Sequence, residues 1–214
     1  MFGKIIRLMR PMERGVVRFA NEYIIDIETT GLDPKNDLII CLGVADLWAL
    51  KATIYFLDDP SKWREFQGFC RKRVRELLSR GKVWAYNCKF EAKFLQVPIR
   101  VNGYGLKELL CGEIWLKLKD AAWHVALRYE LKANRCIEDD DIDGKDVPLL
   151  YLRDWCIYKD ERAKYLIIDH NYRDLVRAYL VRYHIYRLSK KLLEEVSKCV
   201  AKPVIIKSIL NSFQ

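Results

Sequence analysis

The spacing of apolar residues changes along the chain and marks out its elements. EYIIDIE (22–28) carries isoleucines at 24, 25 and 27 and predicts a strand, which Thr29, Thr30 and Gly31 end. DLIICLGVADL (37–47) and KATIYFLDD (51–59), rich in β-branched and aromatic residues, predict two more strands with a short turn near Ala49 and Leu50. After Pro60 the period becomes helical: Trp63, Phe66, Cys70, Val74 and Leu77 recur every three or four residues, and Gly81 follows the last turn. KVWAY (82–86) predicts a short strand, and NCKFEAKFL (87–95) a helix with Asn87 at its N-cap. LKDAAWHVALRYEL (118–131) predicts another helix. VPLLYLRDW starts one at Pro148, and a long helical stretch runs from about Lys159 to Glu195.

Three strands, a helix, a strand and then helices is the order of a mixed α/β sheet. The first three strands form an antiparallel meander, the later one enters by a parallel crossover, and helices flank the sheet. The chain divides into an N-terminal arm or strand (1–21), one domain (22–190) and a C-terminal tail (191–214) packed on it. The basic opening MFGKIIRLMRPMERGVVRFA has no serine and contains Glu13, so an arm or strand fits it better than a transit peptide.

Composition adds partners rather than fold. The chain has 214 residues, half of them apolar, and a net charge of +9, which points toward polyanions. Seven cysteines with no C-x-x-C pair exclude a zinc-ligand pattern and suit buried thiols in a reducing, cytoplasmic compartment. No stretch approaches a membrane span.

The apolar strand at 22–28 contains two acids. Asp26 and Glu28 lie two residues apart, so on a strand they share one face. Side-by-side carboxylates repel, and burying them costs several kcal/mol per ion unless a partner neutralises them. A hard divalent cation such as Mg²⁺ or Mn²⁺ is the natural partner. D-x-E is common on solvated edge strands, but here the Thr-Thr-Gly turn sets the acids at the mouth of the sheet.

DIETTGL resembles the first motif of the DEDD superfamily of 3′–5′ exonucleases, which have an RNase H-like fold. YNCKFEAKFL is similar to the second motif, with Asn87, Phe90 and Glu91, and HNYRDLVRAYLVRY to the third, with Asp174. The three occur in family order, and the resemblance spans about 22–188. DIDGKDVPLLYLRDW also resembles the segment before the third motif in a branch of predicted exonucleases similar to the proofreading domain of family B DNA polymerases.

The resemblance implies an RNase H-like exonuclease with two divalent cations, Mg²⁺ or Mn²⁺. Asp26 bridges both ions, Glu28 and Asp174 complete one site, and Glu91 serves the other. Thr29 and Gly31 meet the terminal nucleotide, and Leu32 wedges against the last base. Asn87 and Phe90 touch the strand end or serve as N-cap and core. Two positions depart from the family: Glu91 stands where the family has Asp, and His170 lies four residues before Asp174, where one branch has Tyr and the other places His five before. Four residues is one helical turn, so His170 shares a face with Asp174 and is a candidate to orient or deprotonate the attacking water. Tyr172 is the fallback, nearly opposite on a helix.

The acidic run from Asp139 has Asp139, Asp141, Asp143 and Gly144 at calcium-loop spacing, but Leu150 stands where the last ligand belongs and Pro148 interrupts the loop, so calcium is excluded. Positive charge concentrates in Ser61–Lys82, with eight Lys/Arg against two Glu, and in Arg173–Lys191, with six against one Asp. Solvation accounts for much of the first run, and phosphate contact is expected of Arg173 and Arg177. The expected partners are single-stranded DNA or RNA ends, with a polymerase or repair protein as a further partner. Two rivals stand beside this reading: a nucleic-acid-binding or regulatory module with a decayed site, and an endonuclease of the same fold.

Overall fold

The computed structural model describes residues 3–9, 17–99, 103–106, 117–129 and 142–199. Six strands form one mixed sheet: β1 Gly3–Leu8, β2 Glu22–Thr29, β3 Ile39–Asp46, β4 Lys51–Phe56, β5 Lys82–Ala85 and β6 Gly103–Gly105, in the order β1-β4-β3-β2-β5-β6. The expected meander is β2–β3–β4, antiparallel throughout, and β5 and β6 join it in parallel. The N-terminal segment is no free arm, because β1 pairs along its length with β4. β6, three residues with two glycines, has no apolar pattern and was not expected from the sequence.

The helices are α1 Trp63–Arg80, α2 Cys88–Leu95, α3 Leu118–Arg128, a short turn α4 Val147–Leu149, and α5 Glu161–Cys199. α1 buries Phe66, Cys70, Val74 and Leu77 as its period requires. α5 runs four residues beyond the expected end, and α4 passes into a π-helix, Leu150–Trp155, where an α-helix was expected. That π-helix is pinned by buried side chains: the Tyr151 hydroxyl donates to the Leu57 carbonyl at 2.9 Å, and Trp155 Nε1 to that of Asp58 at 3.2 Å. The tail from 200 onward, Asp139 and Asp141 lie outside the described residues.

β2 occupies the centre, between β3 and β5, so Ile24, Ile25 and Ile27 are all buried. α5 lies across β2, β3 and β4. It runs antiparallel to β2, since Asn171 bonds Asp26 while Arg182, three turns later, bonds Glu22. The Arg182 guanidinium also stacks between Phe19 and Trp84, at 4.3 and 4.5 Å. This cation–π clamp fixes α5 against the start of β2.

Candidate active site

Three elements bring the acids together. Asp26 and Glu28 come from the end of β2, Glu91 from the first turn of α2, and Asp174 from the middle of α5. The ladder slips between Glu28 and Thr29, which ends β2 beside the acids. Gln67 of α1 fills the slip, accepting from the Ile39 backbone N–H at 3.2 Å and donating to its carbonyl at 2.8 Å. Beyond it the turn closes on itself. Thr29 Oγ1 donates to the Gly31 carbonyl at 2.6 Å, and Thr30 bonds Asp37 and Leu38. A Cβ at Gly31 would overlap the Asp37 carboxylate, which would have to leave its bonds to Thr30 and the Asp33 N–H. Leu32 stands out from this lip, 81% exposed.

Electrostatics tie the four acids into one cluster. Loss of hydration, followed by the charges of Glu28, Asp174 and Glu91, pushes Asp26 well above the usual carboxylate range. Burial raises Glu28 to about 7, against the opposing pull of His170, and Asp174 raises it further. Burial raises Glu91 to about 8, with a smaller push from Glu28. A hydrogen bond between the Asp26 and Glu28 carboxyls favours the proton on Asp26. Glu91 Oε2 is buried with no hydrogen-bond partner.

His170 is buried among these groups, its Nε2 3.9 Å from Asp174 Oδ2. Tyr172 faces the other flank, where its hydroxyl donates to the Leu8 carbonyl at 3.0 Å, so it is no substitute. Asn87 takes the N-cap position of α2 but makes no capping bond, and Phe90 packs on Phe94, ring centroids 4.9 Å apart.

Arg173 and Arg177, the residues expected to contact phosphate, are both buried. Arg177 is 1% exposed and bonds Asp174 at 2.9 Å; Arg173 is 6% exposed and bonds Asp169 at 2.7 Å. A guanidinium on a covered helix must pair, and both do so with acids of α5. Asp169 also binds Arg7 of β1 at 2.6 Å. The exposed cations of this stretch lie further on: Arg187, Lys190 and Lys191, with Arg128 and Tyr129 of the α3 end, surround a cavity of about 390 Å³.

Among the described residues, no three His, Cys, Asp or Glu side chains are arranged as they stand to hold a metal ion. The chemistry of the donor set does fit hard divalent cations. Asp26, Glu28 and Glu91 are all pushed toward the protonated form by burial and by neighbouring acids, and Glu91 presents a buried oxygen that nothing satisfies. Asn171, bonded to two of the acids, was missed as a site residue. Its signal was a polar residue in the apolar stripe of α5, between Ile167 and Leu175.

No helix among the described residues is long and apolar enough to cross a membrane. Comparison with curated proteins gives no match. In fold the chain is similar to the family B DNA polymerase from the hyperthermophilic archaeon Pyrobaculum calidifontis, with a TM-score of 0.50 and 17% identity over 80% of this chain. It spans 24% of that polymerase. The RNase_H superfamily model matches residues 23–186, the whole stretch from β2 through the acid-bearing part of α5. The chain therefore belongs to the RNase_H superfamily.

Proposed function

We propose that this chain is a metal-dependent 3′–5′ exonuclease of the DEDD type, acting on the ends of single-stranded DNA or RNA. One observation carries the reading: four carboxylates from β2, α2 and α5 converge, although Glu28, Asp174 and Glu91 all raise the proton affinity of Asp26. A folded chain keeps such a cluster where cations are to be held. Asp26, Glu28, Glu91 and Asp174 would hold two divalent ions, Mg²⁺ or Mn²⁺. When bound, these supply charge neutralisation at the phosphodiester and an acidified water near neutral pH.

The chain's own groups do the rest. Arg177 holds Asp174 in place through a 2.9 Å bond. His170 Nε2, beside Asp174, orients the attacking water and accepts its proton. Thr29 and Gly31 at the lip receive the terminal nucleotide, Leu32 packs against the last base, and Asn87 and Phe90 flank the strand end. A polymerase or repair protein as partner belongs to the same reading.

The absence of a ready three-acid arrangement among the described residues favours the rival of a binding module with a decayed site. One experiment separates them. Incubate 5′-labelled DNA and RNA oligonucleotides and a closed circle with Mg²⁺ or Mn²⁺, wild type beside Asp26→Ala. The expected result is a descending ladder from linear substrate only, lost in the variant. Cutting of the circle would make the chain an endonuclease. Intact substrate with both metals would leave the binding module.

A further inference from the structure

The side chain that bonds the acids of β2 most directly is an amide. Asn171 lies one turn before Asp174 on α5 and is fully buried. Its Nδ2 donates to Asp26 Oδ2 at 2.7 Å and, at 3.4 Å, to Glu28 Oε1. The carboxyl oxygens Asp26 Oδ2 and Glu28 Oε1 accept here, so the NH₂ end is the one that faces them. The other end of the amide, Oδ1, is buried with no hydrogen-bond partner.

The space for this amide comes from β3. Gly43 sits directly across from Asp26 in the β2–β3 ladder. A Cβ there would overlap Asn171 Oδ1 and press on Leu175 Cδ1 at 2.9 Å. Leu175 and Oδ1 are both fully enclosed, so neither has room to yield. A glycine inside a central strand weakens that strand, and an orphaned buried carbonyl is unfavourable too. Here both occur at one point, and what they permit is a single NH₂ group held against two acids.

We propose that Asn171 is a positioning residue of the cation site and that Gly43 is the gap that admits it. Asp26 and Glu28 share a hydrogen bond while Asp26 keeps its proton, and they repel once a cation displaces that proton. The amide has two N–H donors, and it ties one oxygen of each carboxylate to the same atom. Their remaining oxygens then stay on a common side, where a cation takes them together. The inference rests on the metal-dependent reading above, and it adds a role for two residues outside the four acids.

The test reads metal binding rather than turnover. Titrate the full chain with Mn²⁺ and follow free Mn²⁺ by electron paramagnetic resonance. Compare wild type, Asn171→Ala, Gly43→Ala, the double variant and Asp26→Ala, with circular dichroism and Tm as fold controls. Asn171→Ala and Gly43→Ala are each expected to weaken Mn²⁺ binding by roughly 10–100-fold, the usual effect of losing a group that orients metal ligands. The double variant is expected to match Asn171→Ala, because an alanine at 171 removes the overlapping amide and opens space into which Leu175 Cδ1 can turn away from the added methyl. If Gly43→Ala alone misfolds, recovery of the fold in the double variant supports the same fit, and a double variant that stays unfolded overturns it. Asn171→Ala binding within about threefold of wild type, while Asp26→Ala abolishes binding, overturns the positioning role and leaves the cation site standing. Asp26→Ala binding Mn²⁺ as wild type does overturns the site reading itself, and this inference with it.

Discussion

Glu91→Gln keeps the shape of the most deeply buried of the four acids and removes its charge. Glu91 is 4% exposed, and its Oε2 meets no hydrogen-bond donor. Burial and then Glu28 outweigh the help of a backbone hydrogen bond and lift the carboxyl from 4.5 to about 8. In the unfolded chain the same group ionises near 4.5. Between those values the folded state binds the extra proton, so this contribution to stability is complete below 4.5 and is lost as pH rises to about 8. At ~1.4 kcal/mol for each pH unit, ionising Glu91 in place costs on the order of a few kcal/mol. Glutamine does not bear that cost. In EDTA at pH 8 the variant should therefore melt roughly 5–10 °C above wild type, and at pH 5 the gap should close. Saturating Mn²⁺ should reverse the order, raising wild type and moving the variant little. Thermal melts at pH 5, 6.5 and 8, with EDTA or Mn²⁺, read all of this. Equal melting temperatures at pH 8 in EDTA would refute the reasoning, because Glu91 would then carry its charge in the interior without cost.

Three further outcomes follow from the same geometry. His170→Ala should slow single-turnover hydrolysis by ~10²–10⁴; a loss below about tenfold would sink the proton-acceptor role. Gln67→Ala leaves both peptide groups of Ile39 unmet beneath the acids, so urea unfolding should show a loss of about 2–4 kcal/mol, and a change under ~1 kcal/mol would contradict the clamp. Leu32→Ala should leave stability within ~0.5 kcal/mol, since the side chain is 81% exposed, yet lower strand-end hydrolysis roughly fivefold. Unchanged hydrolysis would remove Leu32 from the substrate lip.

The central strands were legible because their residues leave little choice. β3 is apolar on both faces, which only an interior position accepts, β2 breaks its isoleucine run with the acids, β4 alternates buried Ala52, Ile54 and Phe56 with more exposed residues, and α1 keeps its helical spacing to the last turn. β6 was not legible, since two glycines and a tyrosine carry no period and pairing with β5 alone defines it. The π-helix was not legible either. Its residues read as helical, and the wider turn is set by where Tyr151 and Trp155 meet the carbonyls of Leu57 and Asp58. Among the site residues, the acids declared themselves by sitting in apolar segments. Asn171 and Gly43 broke the pattern just as plainly, a polar residue in a buried stripe and a glycine inside a strand. Neither means anything until the register β2–β3 and the crossing of α5 place one over the other.

Burial divides the charge counted along the chain into paired and exposed cations. Arg173, Arg177 and Arg182 belong to the basic stretch by sequence, yet each is turned inward and paired, with Asp169, Asp174 and Glu22 respectively. α5 is covered on most of its surface from Ala163 to Tyr183, so its cations had to find acids. Arg177 touches the acid cluster, and its place there closes the charge balance of the proposed reaction. Four ionised carboxylates against one guanidinium leave three negative charges. Two divalent ions would turn that into a single positive charge, which one phosphodiester cancels. Arg177 replaced by methionine would leave the loaded site neutral before substrate arrives. At saturating Mn²⁺, substrate affinity should then fall and its dependence on salt flatten, and a salt dependence equal to that of wild type would contradict this balance.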